Sequence, residues 1–176
     1  MIYLGIGSNL KSIFGNRFKN INLAVSLIQR KKIKVLKKSS YYETLSYPDK
    51  KKPKFINVVI AIKSLQTPSN LMKTLLSIEK KLGRIRLKKN DPRTCDIDIL
   101  DYNNKVFNIE FNNSKLQIPH KSLTERNFVL YPLKEVCPNW SHPKTKVNID
   151  TLIRKLKKTN NEITKLSQND INKYVK

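Results

Sequence analysis

"FINVVIAIKSLQTPSNLMKTLLSIEKKLG", residues 55–83, holds an apolar, β-branched run and then a set of leucines and isoleucines at helical spacing. The run FINVVIAI is too short to span a bilayer and is interrupted by Asn57, and it reads as a strand. Pro68 suits the first turn of a helix that continues through Leu71, Leu75, Leu76, Ile78, Glu79 and Leu82, with Gly83 at its C-terminal end. Upstream, IYLGIG (2–7) is a strand that ends in the turn-prone GSN. Phe18, Ile21, Leu23, Ala24, Leu27 and Ile28 then mark a first helix, and KIKVLKKSSYYET (32–44) a second strand. PDKKKPK (48–54) is a lysine- and proline-rich solvated loop. Downstream, RIRLKKNDPR (84–93) is a loop leading into PRTCDIDILDY (92–102), a further strand. The order strand, helix, strand, strand, helix, strand is that of the ferredoxin-like α+β fold, a split βαβ sandwich with an antiparallel sheet.

The chain of 176 residues is expected to form one domain over 1–160. Its C-terminal additions are an irregular stretch at 103–114, an extended KLQIPHKSL, a helix near 125–134 and another from Ile149 to Leu156; a polar tail covers 161–176. MIYLGIGSNL lacks the basic lead and small-residue cleavage pattern of a secretory signal, and no segment is long and apolar enough for a membrane, so a cytoplasmic location is expected. Cys95 and Cys137 show no metal-ligand spacing and read as reduced thiols, Cys95 as a packing residue. The net charge of +23 comes mostly from 29 lysines against 7 arginines, in a chain also rich in Asn and Ile. Biased nucleotide composition accounts for such a pattern without a polyanionic partner, although a funnel for a phosphate-rich ligand would have the same sign.

The strand at 92–102 poses the chemical question. Its side chains alternate, so Asp96 and Asp98 share one face while Ile97 and Ile99 take the other. At about 6 Å and an effective dielectric of ~20, two such charges repel by roughly 3 kcal/mol. A divalent cation turns that repulsion into attraction, and Mg²⁺ usually takes one or two carboxylates together with substrate phosphates. Arg84, Arg86 and Arg93, three of the seven arginines, lie within fourteen residues of Asp98. Guanidinium forks match phosphate oxygens, so the cluster points to phosphoryl chemistry with a nucleotide donor. The dinucleotide fingerprint and the P-loop are both absent: Leu10 stands where GIGSNL would need its third glycine, and no GxxxxGK[ST] occurs. Gly5 and Gly7 read as small residues of a strand and turn.

The segments YLGIGSNL (3–10), FINVVIAI (55–62), IEKKLGRIR (78–86), PRTCDIDIL (92–100) and IPHKSLTERNFVLYPLKEVCP (118–138), in this order, resemble the 6-hydroxymethyl-7,8-dihydropterin pyrophosphokinases of folate biosynthesis. The resemblance implies 2-amino-4-hydroxy-6-hydroxymethyldihydropteridine diphosphokinase activity: ATP gives its pyrophosphoryl group to the hydroxymethyl oxygen of the reduced pterin, and AMP leaves. It implies two Mg²⁺ ions on Asp96 and Asp98, with Arg84 and Arg93 as catalytic partners. ATP contacts are implied at Glu79, Arg84, Arg86, Arg93, Ile99, His120, Lys121 and Arg126. Pterin contacts are implied at Thr44, Leu45, Phe55, Asn57, Asp96 and Phe128. The expected partners are the two small-molecule substrates, with no nucleic acid and no membrane, and the chain is expected to be a monomer. Departures from the family pattern fall in the loops: Asn90 and Asp91 precede Pro92 where an aromatic and a glycine are common, and Leu45 replaces a proline.

Two other readings use the same residues. An RNA-recognition module shares the topology and would use the charge, but the central strands lack its interleaved aromatics, and an acid pair repels a phosphate backbone. A relative kept only for binding would not need intact metal and arginine positions.

Overall fold

In the computed structural model the residues described are 1–46, 49–85, 91–112, 114–156 and 162–175. β1 (Ile2–Ser8), α1 (Arg17–Arg30), β2 (Lys34–Lys38), β3 (Tyr42–Thr44), β4 (Phe55–Lys63), α2 (Pro68–Lys81) and β5 (Asp96–Tyr102) follow the expected order. Both helices begin on side-chain caps: Asn16 accepts from the Lys19 N–H, and Thr67 from the Asn70 N–H just before Pro68. Beyond α2, Gly83 takes a φ of 78°, a left-handed turn that a side chain would strain.

The sheet runs β5-β1-β4-β3, with β2 also paired to β4, and these pairings are antiparallel. This is the ferredoxin-like arrangement, two split βαβ halves interleaved. Ile2, Leu4 and Ile6 of β1 meet Ile97 and Ile99 of β5 and the apolar stripes of α1 and α2 on one face. On the other face Tyr3, Val59, Ala61 and Leu100 pack under α3 (Asn127–Val136) and α4 (Ile149–Arg154). β4 is covered on both sides, which explains its nearly unbroken apolar run.

Several differences from the sequence reading have local causes. Residues 32–44 form two strands, because the pairing with β4 moves by one residue between Lys38–Ile60 and Tyr42–Asn57, where the Ser39 hydroxyl accepts from the Val59 N–H at 3.0 Å. Within 103–118, β6 (Phe107–Phe111) and β7 (Ser114–Ile118) form a separate hairpin, reached through Asn103 and Asn104 in left-handed conformation. The stretch expected as a polar tail adds a strand to the sheet: β8 (Ile163–Lys165) pairs antiparallel with β3, and α5 (Gln168–Val175) follows. Both cysteines are free, and Cys95 is fully buried in the α1/α2 core. Among the described residues, no helix is long and apolar enough to cross a membrane.

Candidate active site

Strand register assembles the site on the α3 face. Asp96 lies opposite Gly7 of β1, and Gly7 opposite Asn57 of β4; one step along, Asp98 lies opposite Gly5. The two aspartates and Asn57 therefore flank a glycine strip. A Cβ at position 7 would sit 3.1 Å from Asn57 Oδ1 and 3.6 Å from Phe55 Cδ1. The missing side chain keeps the floor between the acids and the amide low. The atoms nearest a Cβ at position 5 belong to Leu100, from 3.4 Å.

Asn57 is buried, and its Nδ2 donates to Thr44 Oγ1 at 3.0 Å, which turns its amide to one orientation. Half-buried Phe55 stands beside it, and half-buried Leu45 follows buried Thr44. Phe128, at the start of α3, is also half-buried. Each aromatic carries an arginine that pairs with one aspartate. Arg93 lies 5.0 Å from the centre of the Phe55 ring with its Nε 2.8 Å from Asp96 Oδ2; Arg126 lies 5.5 Å from the Phe128 ring with Nη1 3.7 Å from Asp98 Oδ2. The guanidinium groups thus supply the counter-charge of the acid pair, and the same groups face the aromatic walls.

Arg84 closes the cluster, paired through Nη1 with Asp96 and, at 2.5 Å, with Glu79 Oε1. Burial alone would lower the guanidinium's pKa, but Asp96 and Glu79 outweigh it and hold it above its usual value. Glu79 is only 2 % exposed, and the same oxygen accepts from the Ile97 N–H at 2.7 Å. It ties α2 to β5 and sets the position of Arg84, which places it behind the arginine. Asp98 is pushed up to about 7, first by desolvation and then by the charge of Asp96, with Arg126 and Arg84 pulling the other way.

His120 packs next to this cluster. Its N–H donates to the Leu100 carbonyl at 3.2 Å and its Nδ1 accepts from the Ser122 N–H at 3.2 Å, so a neutral ring carries its proton on Nε2. Burial and Arg126 lower its pKa to about 4. Lys121 is exposed beside it. The Ile99 side chain is core, which leaves only its main chain on outermost β5 for a ligand. Arg86 lies outside the described residues.

Gly7 and Asn9 are the residues that sequence reasoning missed. Asn9 is 3 % exposed and joins three segments. Its Oδ1 accepts from the Arg93 N–H at 2.6 Å, its N–H donates to the Arg93 carbonyl at 3.0 Å, and its Nδ2 donates to the Pro53 carbonyl at 3.1 Å. Ser8, fully buried, adds a bond from its hydroxyl to the Thr94 carbonyl at 2.6 Å. The signal available was a polar pair directly after a strand, but its partners lie 44 to 86 residues away along the chain.

Two carboxylates at i and i+2 on one strand face, part-exposed at 20 % and 35 %, form a donor set of hard oxygens. Among the described residues no group of three or more His, Cys, Asp or Glu could hold a metal. The pair fits a cation that takes its remaining ligands from phosphate and water, as Mg²⁺ does.

Residues 3–138 match the family model described as 7,8-dihydro-6-hydroxymethylpterin-pyrophosphokinase. The chain is 38 % identical over 155 residues to the folic acid synthesis protein fol1 of Pneumocystis carinii, covering 88 % of this chain and 20 % of that protein. It is 33 % identical to the 2-amino-4-hydroxy-6-hydroxymethyldihydropteridine pyrophosphokinase of Synechocystis (87 % of this chain, 74 % of that one) and 37 % identical to that of Bacillus subtilis (84 % of each). It spans about a fifth of the fungal proteins and most of the bacterial ones. Among solved structures, Plasmodium falciparum HPPK-DHPS superposes with a TM-score of 0.68 at 16 % identity, over 88 % of this chain and 42 % of that one, which is a likeness of fold.

Proposed function

Because the chain belongs to the 7,8-dihydro-6-hydroxymethylpterin-pyrophosphokinase family, we propose that it transfers the pyrophosphoryl group of ATP to the hydroxymethyl oxygen of 6-hydroxymethyl-7,8-dihydropterin. The observation that supports this reading is the row Asp96, Gly7, Asn57, in which the acid pair and a buried amide flank a glycine with the Phe55 ring close by.

In this reading the pterin ring lies over the glycine floor. Asn57, held by Thr44, offers the ring edge a fixed donor and acceptor pattern, and an analogue lacking the matching groups leaves the amide unpaired. Phe55 and Phe128 bound the ring from its sides, with Leu45 beside Thr44. Asp96 and Asp98 are the residues that would hold two Mg²⁺ ions, which would supply positive charge to offset the phosphate oxygens. Arg84, Arg93 and Arg126 exchange carboxylate for phosphate, and Arg86, Lys121 and His120 are the further groups for the triphosphate; a neutral His120 donates through Nε2. Glu79 acts through Arg84, and Ile99 through its main chain. The hydroxymethyl oxygen forms a bond to the β-phosphorus as the bond from that phosphorus to the α–β bridging oxygen breaks; AMP departs with the electron pair, and the hydroxyl proton passes to solvent. Holding the two reactants in line supplies much of the rate, because a bimolecular encounter becomes a positioned one.

Labelled ATP tests the reading. With Mg²⁺ and the pterin, label in the β or γ phosphate is expected to move to the pterin while α label stays in AMP. Movement of γ label alone, with ADP as product, would overturn it.

A further inference from the structure

We propose that residues 162–175, which lie beyond the family match, form a strap that positions the pterin side of the site. The proposal rests on the functional reading for its ligand, but its structural basis is independent. β8 is hydrogen-bonded along β3, pairing Ile163 with Thr44, Thr164 with Glu43 and Lys165 with Tyr42. Thr44 is the residue that orients Asn57. Without β8, β3 would be a three-residue edge strand, short enough to fray. Leu166 anchors the strap: it is 9 % exposed in the main core, and its N–H donates to the Tyr41 carbonyl at 2.9 Å.

The far end of the strap closes on the bases of two loops. The Tyr174 ring lies 5.4 Å from that of Phe18 and 5.2 Å from the Arg17 guanidinium, and its carbonyl accepts from Asn16 Nδ2 at 2.7 Å. Its hydroxyl reaches Glu43 Oε1 at 3.4 Å. Glu43 also takes Arg17 at 3.3 Å and Lys54 at 3.2 Å, and Arg17 donates to the Lys54 carbonyl at 2.7 Å. Asn16 and Arg17 end the loop that starts at Asn9; Lys54 ends the loop that follows Thr44 and immediately precedes Phe55. One node thus joins the residues adjacent to Thr44 and Phe55, two of the groups that bound the slot. Lys50 to Glu162, at 3.3 Å, adds an exposed contact between the same loop and the start of the strap. None of these contacts touches Asp96, Asp98 or their arginines.

The strap's own contacts therefore fall on the pterin half of the site, and the nucleotide half is reached only indirectly, through Phe55 against Arg93 and Pro53 on Asn9. That separation is the readout. In the full chain, Tyr174→Ala removes an aromatic pair and a cation–π contact, which bounds the loss of pterin affinity at about fivefold to tenfold. Pterin binding is measured by titration in Mg²⁺ with a non-hydrolysable ATP analogue, analogue binding in a separate titration, and amide exchange at 42–44 and 49–54 by mass spectrometry. The expected result is weaker pterin binding, analogue binding within about twofold, faster exchange in both segments, and recovery in Tyr174→Phe, which keeps the ring. Unchanged exchange and pterin affinity in the alanine variant would overturn the proposal, as would equal losses for both ligands with a lowered melting temperature. If the unaltered chain moves no pyrophosphoryl group, the functional reading fails on that assay, and the exchange data still decide for or against the strap.

Discussion

Replacing Gly7 with alanine tests the glycine floor with a single methyl group. The backbone tolerates it, since Gly7 sits in the middle of an antiparallel pairing between β4 and β5. In the unfolded chain alanine is the stiffer residue, which favours the variant by about 0.4–1 kcal/mol. Against this stands the 3.1 Å approach to Asn57 Oδ1 and the 3.6 Å approach to the Phe55 ring. Asn57 can yield only by lengthening its 3.0 Å bond to Thr44. Overpacking of this kind costs about 1–3 kcal/mol, so after that offset folding stability should fall by no more than about 2.6 kcal/mol. The larger effect is on the ligand: the methyl stands where the pterin ring would lie and displaces the amide that reads its edge. A loss of about 1.4–3 kcal/mol corresponds to roughly tenfold to over a hundredfold in pterin affinity. Gly5→Ala is the comparison, because the atoms nearest its Cβ belong to the buried Leu100 side chain, from 3.4 Å, and not to Asn57 or Phe55. Fluorescence titration with the pterin, beside a melting curve for each variant, makes the comparison. Pterin affinity that is unchanged in Gly7→Ala, or reduced equally in Gly5→Ala, would refute the reasoning.

Asp98→Asn should cut turnover by orders of magnitude while stabilising the fold at alkaline pH. A carboxyl raised from 3.8 to about 7 costs stability when ionised. The cost is absent below the unfolded value, grows as pH rises toward 7 and is complete above it. Discounted for the exposed third of the side chain, the gain in the variant at pH 8 is about 1 kcal/mol, disappearing near pH 4, as denaturant melts at the two pH values would show. Asn9→Ala leaves the Arg93 N–H without its buried acceptor and should lower stability by about 1–3 kcal/mol, with a larger loss of nucleotide than of pterin binding by calorimetry. Cys95 is fully buried and its thiol is pushed far above the usual range by desolvation, then by Glu79 and Asp96. Peptide-level mass spectrometry after alkylation at pH 8 should find it modified only at the rate of unfolding.

Elements whose sequence period spans many residues were legible: α1 and α2 through their apolar stripes, β4 through its continuous run, and the acid pair through strand alternation. The aspartates and nearby arginines were legible because they lie close along the chain. Glu79 was not readable as a buried residue, since a glutamate on a helix is ordinarily solvated and its burial depends on the Ile97 N–H of the edge strand. Gly7 and Asn9 depend on register between distant segments, which no local pattern encodes. β8 has three residues and no period at all; its pairing is visible only once β3 presents an open edge. The β6–β7 hairpin is masked by Asn and Lys on its outer face, and the break between β2 and β3 by the fact that both pair with the same strand.

The measurement that bears most directly on the central claim is pterin-dependent AMP formation by the full chain, compared with Asp96→Asn and Asp98→Asn at saturating Mg²⁺ and ATP. The account predicts AMP that requires the pterin, disappears with EDTA, and falls by orders of magnitude in both folded variants. AMP formation at near-normal rates in both variants would contradict it.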